Sequence, residues 1–199
     1  LKDDNLYVVD QEIIAKINLT TPNYTIIAGT VGAGVPADGF GVSATIYTSQ
    51  NALLVGDKIY FEDYIDYTTR VLRELDISAS GTYSVNTVIG DLSGPGTNGV
   101  SATDGVSSTA TMNRITGMTA YKNTILISEE DPDDNFRLRQ YDPATGAIKT
   151  IQYVKTTDRH ILGNINSKGR LRSGATRGIY YLDNYGLLLG TDWGLLRLQ

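Results

Sequence analysis

The sequence predicts an all-β fold made of repeated four-stranded antiparallel sheets, and three observations lead to this prediction. The stretch 38–76 recurs without a gap as 104–142. Short segments rich in β-branched residues and tyrosine are separated by Gly, Asp, Asn and Ser, which is typical of strands joined by turns. No segment has a convincing helical period. A repeat of this kind indicates one supersecondary unit stacked on copies of itself.

The first element of the unit is a loop that begins with Asp-Gly. Asp38-Gly39 corresponds to Asp104-Gly105, and the spacing between them is the same throughout the two copies. We expect a tight turn here, because glycine tolerates positive φ and aspartate can accept hydrogen bonds from nearby amides. The same spacing pairs small residues that would allow close backbone approach, and large apolar residues that would pack between sheets: Ala44 with Ala110, and Ile46 with Met112.

Four short strands follow in each unit. In the first full copy their predicted bounds are 51–56, 58–64, 69–78 and 83–90. Polar and apolar residues alternate within the third strand, from Val71 to Leu75. This alternation predicts a strand whose sheet is covered on one side by its neighbour.

Weaker copies of the unit flank these two. Upstream, the segment 6–10 matches the second strand of the unit, and Ile17-Asn18 takes the place of Leu75-Asp76. Downstream, the segment 177–179 fits 116–118 at a slightly shorter spacing. This shorter spacing predicts one further pair of equivalent positions: Leu187-Leu188 for Leu126-Ile127.

Four-stranded antiparallel repeats that cannot bury their faces alone are typical of β-propeller blades. We therefore expect residues 1–199 to form a single β-propeller segment that starts at the second strand of one blade and stops at the third strand of another. Propellers have four to eight blades, so further blades or another chain would complete this one through open strand edges. The predicted blades, two whole and two partial, are 1–30 (partial), 47–90, 113–154 and 175–199 (partial).

These motifs resemble the NHL-repeat family of β-propellers. That family has an Asp-Gly loop followed by a small and a large apolar residue, a strand ending in Asp, a strand of the form I-R-x-I-D, and a T-x-A-G ending. The matching segments here are the loop 38–46, Tyr7-Val8-Val9-Asp10, Leu72-Arg73-Glu74-Leu75-Asp76 and Thr25-Ile26-Ile27-Ala28-Gly29. The segment 187–198 is similar instead to the two-component-regulator propeller repeat. Both resemblances imply blades.

The composition limits the classes of function. A formal net charge of −5 disfavours general binding to nucleic acid and to anionic membrane surfaces. The absence of cysteine excludes disulfides, thiolate metal sites and cysteine nucleophiles. No apolar run reaches the ~20 residues of a spanning helix, and no signal peptide is recognisable after Leu1. We expect no membrane insertion in this segment.

Candidate chemical residues are few, and no catalytic residue or metal ligand is assigned. His160 is the only histidine, which excludes a multi-histidine zinc centre and favours a solvated loop histidine. The acidic segment 129–135 offers carboxylates for Ca²⁺, but an EF-hand register from Asp131 puts Phe136 at the required glycine. We therefore favour a solvated acidic turn and expect no cofactor, with Ca²⁺ as the alternative.

Several remaining motifs have a functional and a structural interpretation. Gly32-Ala33-Gly34 follows a strand, but Val35-Pro36 cannot open the helix of a phosphate-binding loop, so that interpretation is rejected. The basic residues from Lys155 to Arg177 would suit an anionic glycan or an acidic partner, although a charged loop without a ligand is favoured. Asn18 and Asn23 begin glycosylation sequons, usable only in a protein secreted by a eukaryote. Tyrosines expected to pack between blades, some rimming a glycan or peptide surface, are Tyr60, Tyr64, Tyr67, Tyr180, Tyr181 and Tyr185.

The repeat, the composition and the lack of a catalytic constellation predict a non-catalytic β-propeller protein. We expect an extracellular, periplasmic or cell-surface scaffold that binds a protein or glycan through its loops, and self-assembles through open blade edges. Enzymatic activity is less favoured. The alternatives are a propeller hydrolase or lyase with a carboxylate-bound cation, and the periplasmic sensor domain of a signalling receptor.

Overall fold

The computed structural model describes residues 1–47, 51–64, 69–93, 102–131, 136–154, 176–182, 186–191 and 194–198. Within these ranges the chain forms sixteen β-strands, two short 3-10 turns and no α-helix. The strands pair antiparallel in four sheets, none of which closes on itself. The all-β, antiparallel prediction is confirmed. The described residues contain no helical segment with the length and hydrophobicity of a membrane span.

The first sheet is a three-stranded meander. Its strands are β1 (Asn5–Val9), β2 (Ile13–Asn18) and β3 (Asn23–Gly29). Side chains cap both turns. The Asp10 carboxylate accepts a hydrogen bond from the Gln11 amide at 2.8 Å, and the Asn18 side-chain oxygen accepts one from the Thr21 amide, also at 2.8 Å. Such contacts compete with the strand ladder and so define where each strand ends.

The second sheet has four consecutive strands and a two-residue strand from the loop before them. They are β4 (Gly39–Phe40), β5 (Ala52–Val55), β6 (Lys58–Tyr64), β7 (Arg70–Asp76) and β8 (Ser84–Ile89). Their spatial order is β5, β6, β7, β8, β4, so β4 covers the outer edge of β8. The four strands predicted for this copy agree with the structure to within two residues at each end.

The third sheet repeats the second. Its strands are β9 (Gly105–Val106), β10 (Arg114–Tyr121), β11 (Thr124–Glu130), β12 (Phe136–Asp142) and β13 (Ala147–Val154), in the order β10, β11, β12, β13, β9. β4, β6 and β7 reappear at one constant spacing as β9, β11 and β12. The spacing shortens at the last strand, because the β12–β13 turn is three residues shorter than the β7–β8 turn.

The fourth sheet consists of β14 (Thr176–Leu182), β15 (Gly186–Thr191) and β16 (Gly194–Leu198). Its backbone register places Leu189 opposite Ile179, as Ile127 lies opposite Met118 in the third sheet. The predicted equivalence of Leu187-Leu188 with Leu126-Ile127 is therefore wrong by one residue. The cause is turn length, because three residues separate the paired ends of β14 and β15 and two separate those of β10 and β11.

The chain divides into two compact units, Leu1–Gly96 and Thr97–Gln199. In the first unit one apolar core joins the first and second sheets. Ile46, which lies in the linker between these two sheets, is part of this core as expected. In the second unit Ile179 of the fourth sheet packs with Leu126 and Leu138 of the third. Burial of such side chains stabilises each unit by roughly 25 cal/mol per Å² of apolar surface. That the four sheets are blades of one propeller stays a prediction.

Two local predictions are wrong. β7 is not half-covered, because all five residues from Val71 to Leu75 are buried, Arg73 included. Gly39 is not needed for positive φ, which it does not have. A Cβ on this glycine would lie 3.1 Å from the backbone nitrogen of Ala44, so close backbone approach is what disfavours a side chain here.

Candidate functional site

A buried arginine connects the Asp-Gly loop of the second sheet to β7. The Nη1 of Arg73 donates hydrogen bonds to the Thr45 carbonyl oxygen and to the Asp63 carboxylate, both at 2.7 Å. The Nη2 donates to the Ala37 carbonyl oxygen at 2.8 Å and to the Asp38 carboxylate at 3.0 Å. The planar fork of a guanidinium suits this task, because its donors point in fixed directions. One side chain thus holds both ends of the loop.

Asp38 extends this connection to β8. The backbone amide of Thr87 donates to Asp38 Oδ2 at 2.9 Å, and the Thr87 hydroxyl donates to Oδ1 at 2.9 Å. The prediction that this aspartate accepts from an amide is confirmed, although the amide belongs to a distant strand and not to the loop itself. We name the set Asp38, Asp63, Arg73 and Thr87 the first arginine node.

The third sheet contains the same arrangement at the equivalent positions of the repeat. The Nη1 of Arg139 donates to the Thr111 carbonyl oxygen at 2.7 Å and to the Glu129 carboxylate at 3.1 Å. The Nη2 donates to the Thr103 carbonyl oxygen at 2.7 Å and to Asp104 at 3.2 Å. We name the set Asp104, Glu129, Arg139 and Thr150 the second arginine node.

Asp104 occupies the position of Asp38 in the second node. The amide and the hydroxyl of Thr150 both donate to its Oδ1 at 2.8 Å. Burial opposes ionisation of this carboxyl, but the bonds from Thr150 and the nearby guanidinium of Arg139 outweigh it and lower the pKa of Asp104. Its charge therefore helps to hold the loop on the sheet.

Glu129 occupies the position of Asp63 in the second node, and its ionisation is shifted. Burial raises the pKa of Glu129 to about 7, against the attraction of the Arg139 guanidinium. This finding corrects the prediction of a solvated acidic turn, because Glu129 is fully buried in β11 and bonded to arginine. Glu130 is also paired, with Arg114 at 2.8 Å. The rest of that segment, 132–135, lies outside the described residues.

The described residues include no group of three or more His, Cys, Asp or Glu side chains placed to hold a metal ion. The contacts of the two nodes are those of loop fasteners. Each guanidinium bonds to two carboxylates and to two backbone carbonyls of the preceding loop. The bonds to the two carbonyls fix the path of the loop. The guanidinium also offsets the free-energy cost of burying a carboxylate, which would be high without such a partner.

A polar groove of about 500 Å³ lies in the first unit, between the first and second sheets. The wall from the first sheet carries polar side chains in two cross-strand rows. The first row is Asn5, Asn18 and Asn23, and the second includes Lys16 and Thr25. Such side chains offer both hydrogen-bond donors and acceptors to a ligand.

The opposite wall of the groove comes from the linker and the β7–β8 turn. Gly41 and Val42 lie beside β3, and Ser80, Gly81 and Tyr83 complete the wall. Among the described residues that line the groove, Lys16 is the one charged side chain and none is acidic. The groove therefore suits a neutral, hydroxyl-rich ligand with small apolar patches better than a cation.

Both sequon asparagines line this groove. The Asn18 side-chain oxygen accepts bonds from the Thr20 amide at 3.0 Å and the Thr21 amide at 2.8 Å, so this side chain is occupied in the turn. Asn23 is exposed at the first position of β3. Of the two predicted glycosylation sites, Asn23 is the more accessible.

The other sequence candidates are placed as follows. The Gly32 amide donates to the Glu12 carboxylate at 2.9 Å, and no helix follows it, in agreement with the rejected phosphate loop. Tyr60 is buried as expected, and Tyr181 makes an edge contact with Tyr121 at 4.8 Å between ring centroids. Candidates outside the described residues are His160, the basic residues from Lys155 to Arg172, Tyr67 and Tyr185.

The nodes were accessible to sequence reasoning only in part. The repeat spacing places Arg73 on Arg139 and Asp38 on Asp104, which is the signal that could have revealed them. The sequence does not show that the arginine of a strand meets the aspartate of a loop far before it in the chain. The groove left no signal in the repeat, because its two walls belong to different sheets.

Comparison with known proteins gives no family. No protein-family model matches the chain, and no curated protein matches it. Among solved structures, the chain is similar to the computationally designed Ika4 protein, with a TM-score of 0.43 and 11% identity over 100% of this chain and 88% of that chain. It is similar to the computationally designed Ika8 protein at a TM-score of 0.43 and 11% identity, over 99% of this chain and 56% of that chain. Likeness at this level carries no argument about fold or function.

Proposed function

We propose that the chain is a non-catalytic scaffold of repeated β-sheets, located outside the cell or at a cell surface, that binds a neutral glycan in its polar groove. The observation that carries the proposal is the chemistry of the groove. It combines amides, hydroxyls and one ammonium group with the apolar side chains of Ile27 and Val42. Sugars present the matching set of hydroxyls and apolar ring faces.

The arginine nodes support a scaffold rather than an enzyme. Their carboxylates are bonded to guanidinium groups and to threonines of the sheet, and they hold loops in place. A general acid or base must instead be within hydrogen-bond reach of a substrate. A rigid sheet with a fastened loop is the kind of element that keeps a binding surface in one geometry.

The same proposal takes the four sheets as blades of a β-propeller related to the NHL repeat, completed by further blades or by another chain. Its support is the shared backbone register. Equivalent cross-strand pairs recur in all four sheets, and the second and third also share strand order and loop fastening. Electron cryomicroscopy of the native assembly would show whether the sheets lie around a common axis.

Binding in the groove is tested with the purified chain on an array of neutral and acidic glycans and peptides, followed by calorimetric titration of the best neutral glycan. Thr25→Ala and Lys16→Ala should each weaken binding about tenfold, the effect of losing one hydrogen bond of about 1.4 kcal/mol. The matched control is Asn86→Ala, because Asn86 occupies in β8 the position of Thr25 in β3 and lies outside the groove.

Three results would contradict the proposed function. The first is the absence of saturable binding to any neutral glycan on the array. The second is binding that the Thr25 and Lys16 variants leave unchanged. The third is a preference for a peptide, which would replace the glycan by a protein partner.

A further inference from the structure

We propose that this chain binds a second copy of itself head to tail, with an exposed apolar face of its first sheet receiving the exposed face of the other copy's last sheet. The proposal rests on the scaffold function above and deepens it by naming one partner. It concerns sheet faces, whereas the sequence suggests sheet edges. The argument begins with the side chains of the first sheet.

One face of the first sheet carries two apolar cross-strand rows. Backbone pairing across β1, β2 and β3 gives the rows Leu6–Ile17–Tyr24 and Val8–Ala15–Ile26. We name these six residues the leading face. The equivalent rows across β6, β7 and β8 in the second sheet are Ile59–Leu75–Val85 and Phe61–Arg73–Thr87.

The two equivalent faces differ sharply in burial. Tyr24 is 56% exposed where Val85 is 0% exposed, and Val8 is 39% exposed where Phe61 is 0% exposed. In the second sheet this face packs in the core shared with the first sheet and with Ile46 of the linker. The leading face has an apolar or aromatic residue at each equivalent position, but its larger side chains remain open to solvent. A contiguous apolar patch of this kind marks an interaction surface.

The leading face lacks the groups that fasten a loop of the same chain. Ala15 occupies the position of Arg73, and Ile26 occupies the position of Thr87. An Asp-Gly linker would therefore find neither a guanidinium nor a hydroxyl for its aspartate. A second copy of the chain could dock here without a linker of this kind.

A matching exposed face lies on the last sheet. In the third sheet, Tyr121 and Leu126 pack in the core that also contains Ile179 and Leu187 of the fourth sheet. The backbone register of β14 and β15 gives the residues equivalent to Tyr121 and Leu126, which are Leu182 and Leu188.

The residues at these positions are again apolar, and they are not covered as their counterparts are. Leu182 is exposed, and Tyr180, two positions earlier on the same side of β14, is 54% exposed. Ile179 and Tyr181 point to the opposite side, toward the third sheet. We name Tyr180, Leu182 and Leu188 the trailing face.

The contacts within each unit show how two such faces combine. In the first unit, Tyr7, Val9 and Ile14, which lie on the side of the first sheet opposite the leading face, pack on the second sheet. In the second unit, Leu126 and Leu138 pack on the fourth sheet in the same sense. In both units, the earlier sheet packs through the side that corresponds to the trailing face, and the later sheet packs through the side that corresponds to the leading face. The same packing between two copies would place the trailing face of one copy on the leading face of the other.

The test measures self-association of the purified chain by sedimentation velocity from roughly 1 μM to 1 mM, the range for weak to moderate contacts. The wild type should associate. Val8→Glu/Tyr24→Glu and Tyr180→Glu/Leu182→Glu should each weaken association at least about 100-fold, because buried unpaired carboxylates are costly. The matched control Val31→Glu/Val35→Glu changes exposed valines outside both faces and should associate like the wild type. Circular dichroism and melting curves establish that every variant is folded.

Mixing the two face variants distinguishes head-to-tail contact from other contacts. The leading-face variant keeps an intact trailing face, and the trailing-face variant keeps an intact leading face. A mixture should therefore form one-to-one dimers and stop there, while the wild type continues to rings or longer chains. Dimers formed by the trailing-face variant alone would show that leading faces pair with each other, and would overturn the proposal.

Two further outcomes also overturn it. One is a wild-type chain, or the full native polypeptide, that stays monomeric up to about 1 mM. The other is association that both face variants retain. These outcomes are separate from the proposed function. Glycan binding by a strictly monomeric chain would support the proposed function and contradict self-association. Self-association of a chain that binds no glycan would support this inference and contradict glycan binding.

Discussion

The two arginine nodes hold equivalent loops with different carboxylates. In the first node, Arg73 bonds to Asp63 at 2.7 Å. In the second, the Nη1 of Arg139 lies 3.1 and 3.4 Å from the two oxygens of Glu129. In both nodes the guanidinium also bonds to two loop carbonyls and one loop aspartate at equivalent positions of the repeat. The repeated requirement is therefore the guanidinium and its loop, while the buried carboxylate can be longer or shorter.

This difference has an electrostatic consequence. The pKa of Glu129 is raised to about 7 by burial, so its charge varies over the range from mildly acidic to neutral pH. The contribution of the nodes to the free energy of unfolding can be tested by removing each arginine, by changing pH, and by removing one threonine hydroxyl. The expected effects decrease in that order.

Removal of the guanidinium should have the largest effect. Arg73→Ala and Arg139→Ala each leave a buried carboxylate and two loop carbonyls without their donor, so we expect a loss of about 3–5 kcal/mol in the free energy of unfolding. Urea denaturation measures this loss, and hydrogen exchange locates it. Faster exchange should appear in the loop 37–45 for the first variant and in 103–111 for the second.

Arg114→Ala is the control for this experiment. Arg114 forms an ion pair with Glu130 at 2.8 Å and is half exposed, so its removal should cost less than about 1 kcal/mol. Equal losses for Arg114 and Arg139 would show that the buried node has no special importance.

The next largest effect should be a pH dependence of stability that comes from Glu129 of the second node. Because the pKa of Glu129 in the folded state lies above its ordinary value of 4.5, the folded state binds more protons than the unfolded state between pH 4.5 and about 7. The stabilisation associated with protonated Glu129 is present below this window and is lost as pH rises through it. Glu129→Gln should remove that part of the slope in urea-unfolding experiments from pH 4 to 8.

Asp63→Asn provides the comparison for the pH experiment. Because Glu129 is intact in this variant, it should retain the part of the slope between pH 4.5 and 7 that Glu129→Gln removes. A Glu129→Gln variant with the wild-type slope would argue against the raised pKa.

The smallest effect should come from the threonines of the outer strands. Thr87→Val and Thr150→Val remove the hydroxyl bonds to Asp38 and Asp104 but keep the backbone amide bonds. We expect a loss of about 1 kcal/mol for each. Thr25→Val, at an exposed position of β3, is the reference, and a loss as large as those of Thr87 and Thr150 would remove their distinction.

The sequence predicted the all-β class and the strand positions of the second sheet because these follow from local patterns. The constant repeat spacing and the Gly, Asp and Asn turns were enough to place β6, β7 and their copies. The sequence prediction was wrong for Arg73. Judged from its neighbours in the chain alone, this arginine belongs to the polar, exposed side of an alternating strand. Its burial depends on partners in β6 and in the loop before β5, and that is a tertiary property.

The same limit explains the groove and Glu129. Lys16 and Tyr83 line one cavity although they lie in different parts of the chain, so no local pattern connects them. Glu129 belongs to a run of acidic residues that suggests a solvated turn. The strand β11 nevertheless extends to Glu130 and directs the Glu129 side chain onto Arg139. The composition of the segment indicated charge, but only the strand register showed that Arg139 is the partner of Glu129.

The difference in length between the β7–β8 and β12–β13 turns is relevant to protein engineering. The longer turn and the shorter one both lead into strands whose threonine still reaches the loop aspartate. A natural length variant of this turn is therefore already present in one polypeptide. We expect the stretch 143–146 to accept a grafted epitope or affinity tag, since a peptide inserted there would project from the tip of a hairpin while the fastened loop stays in place.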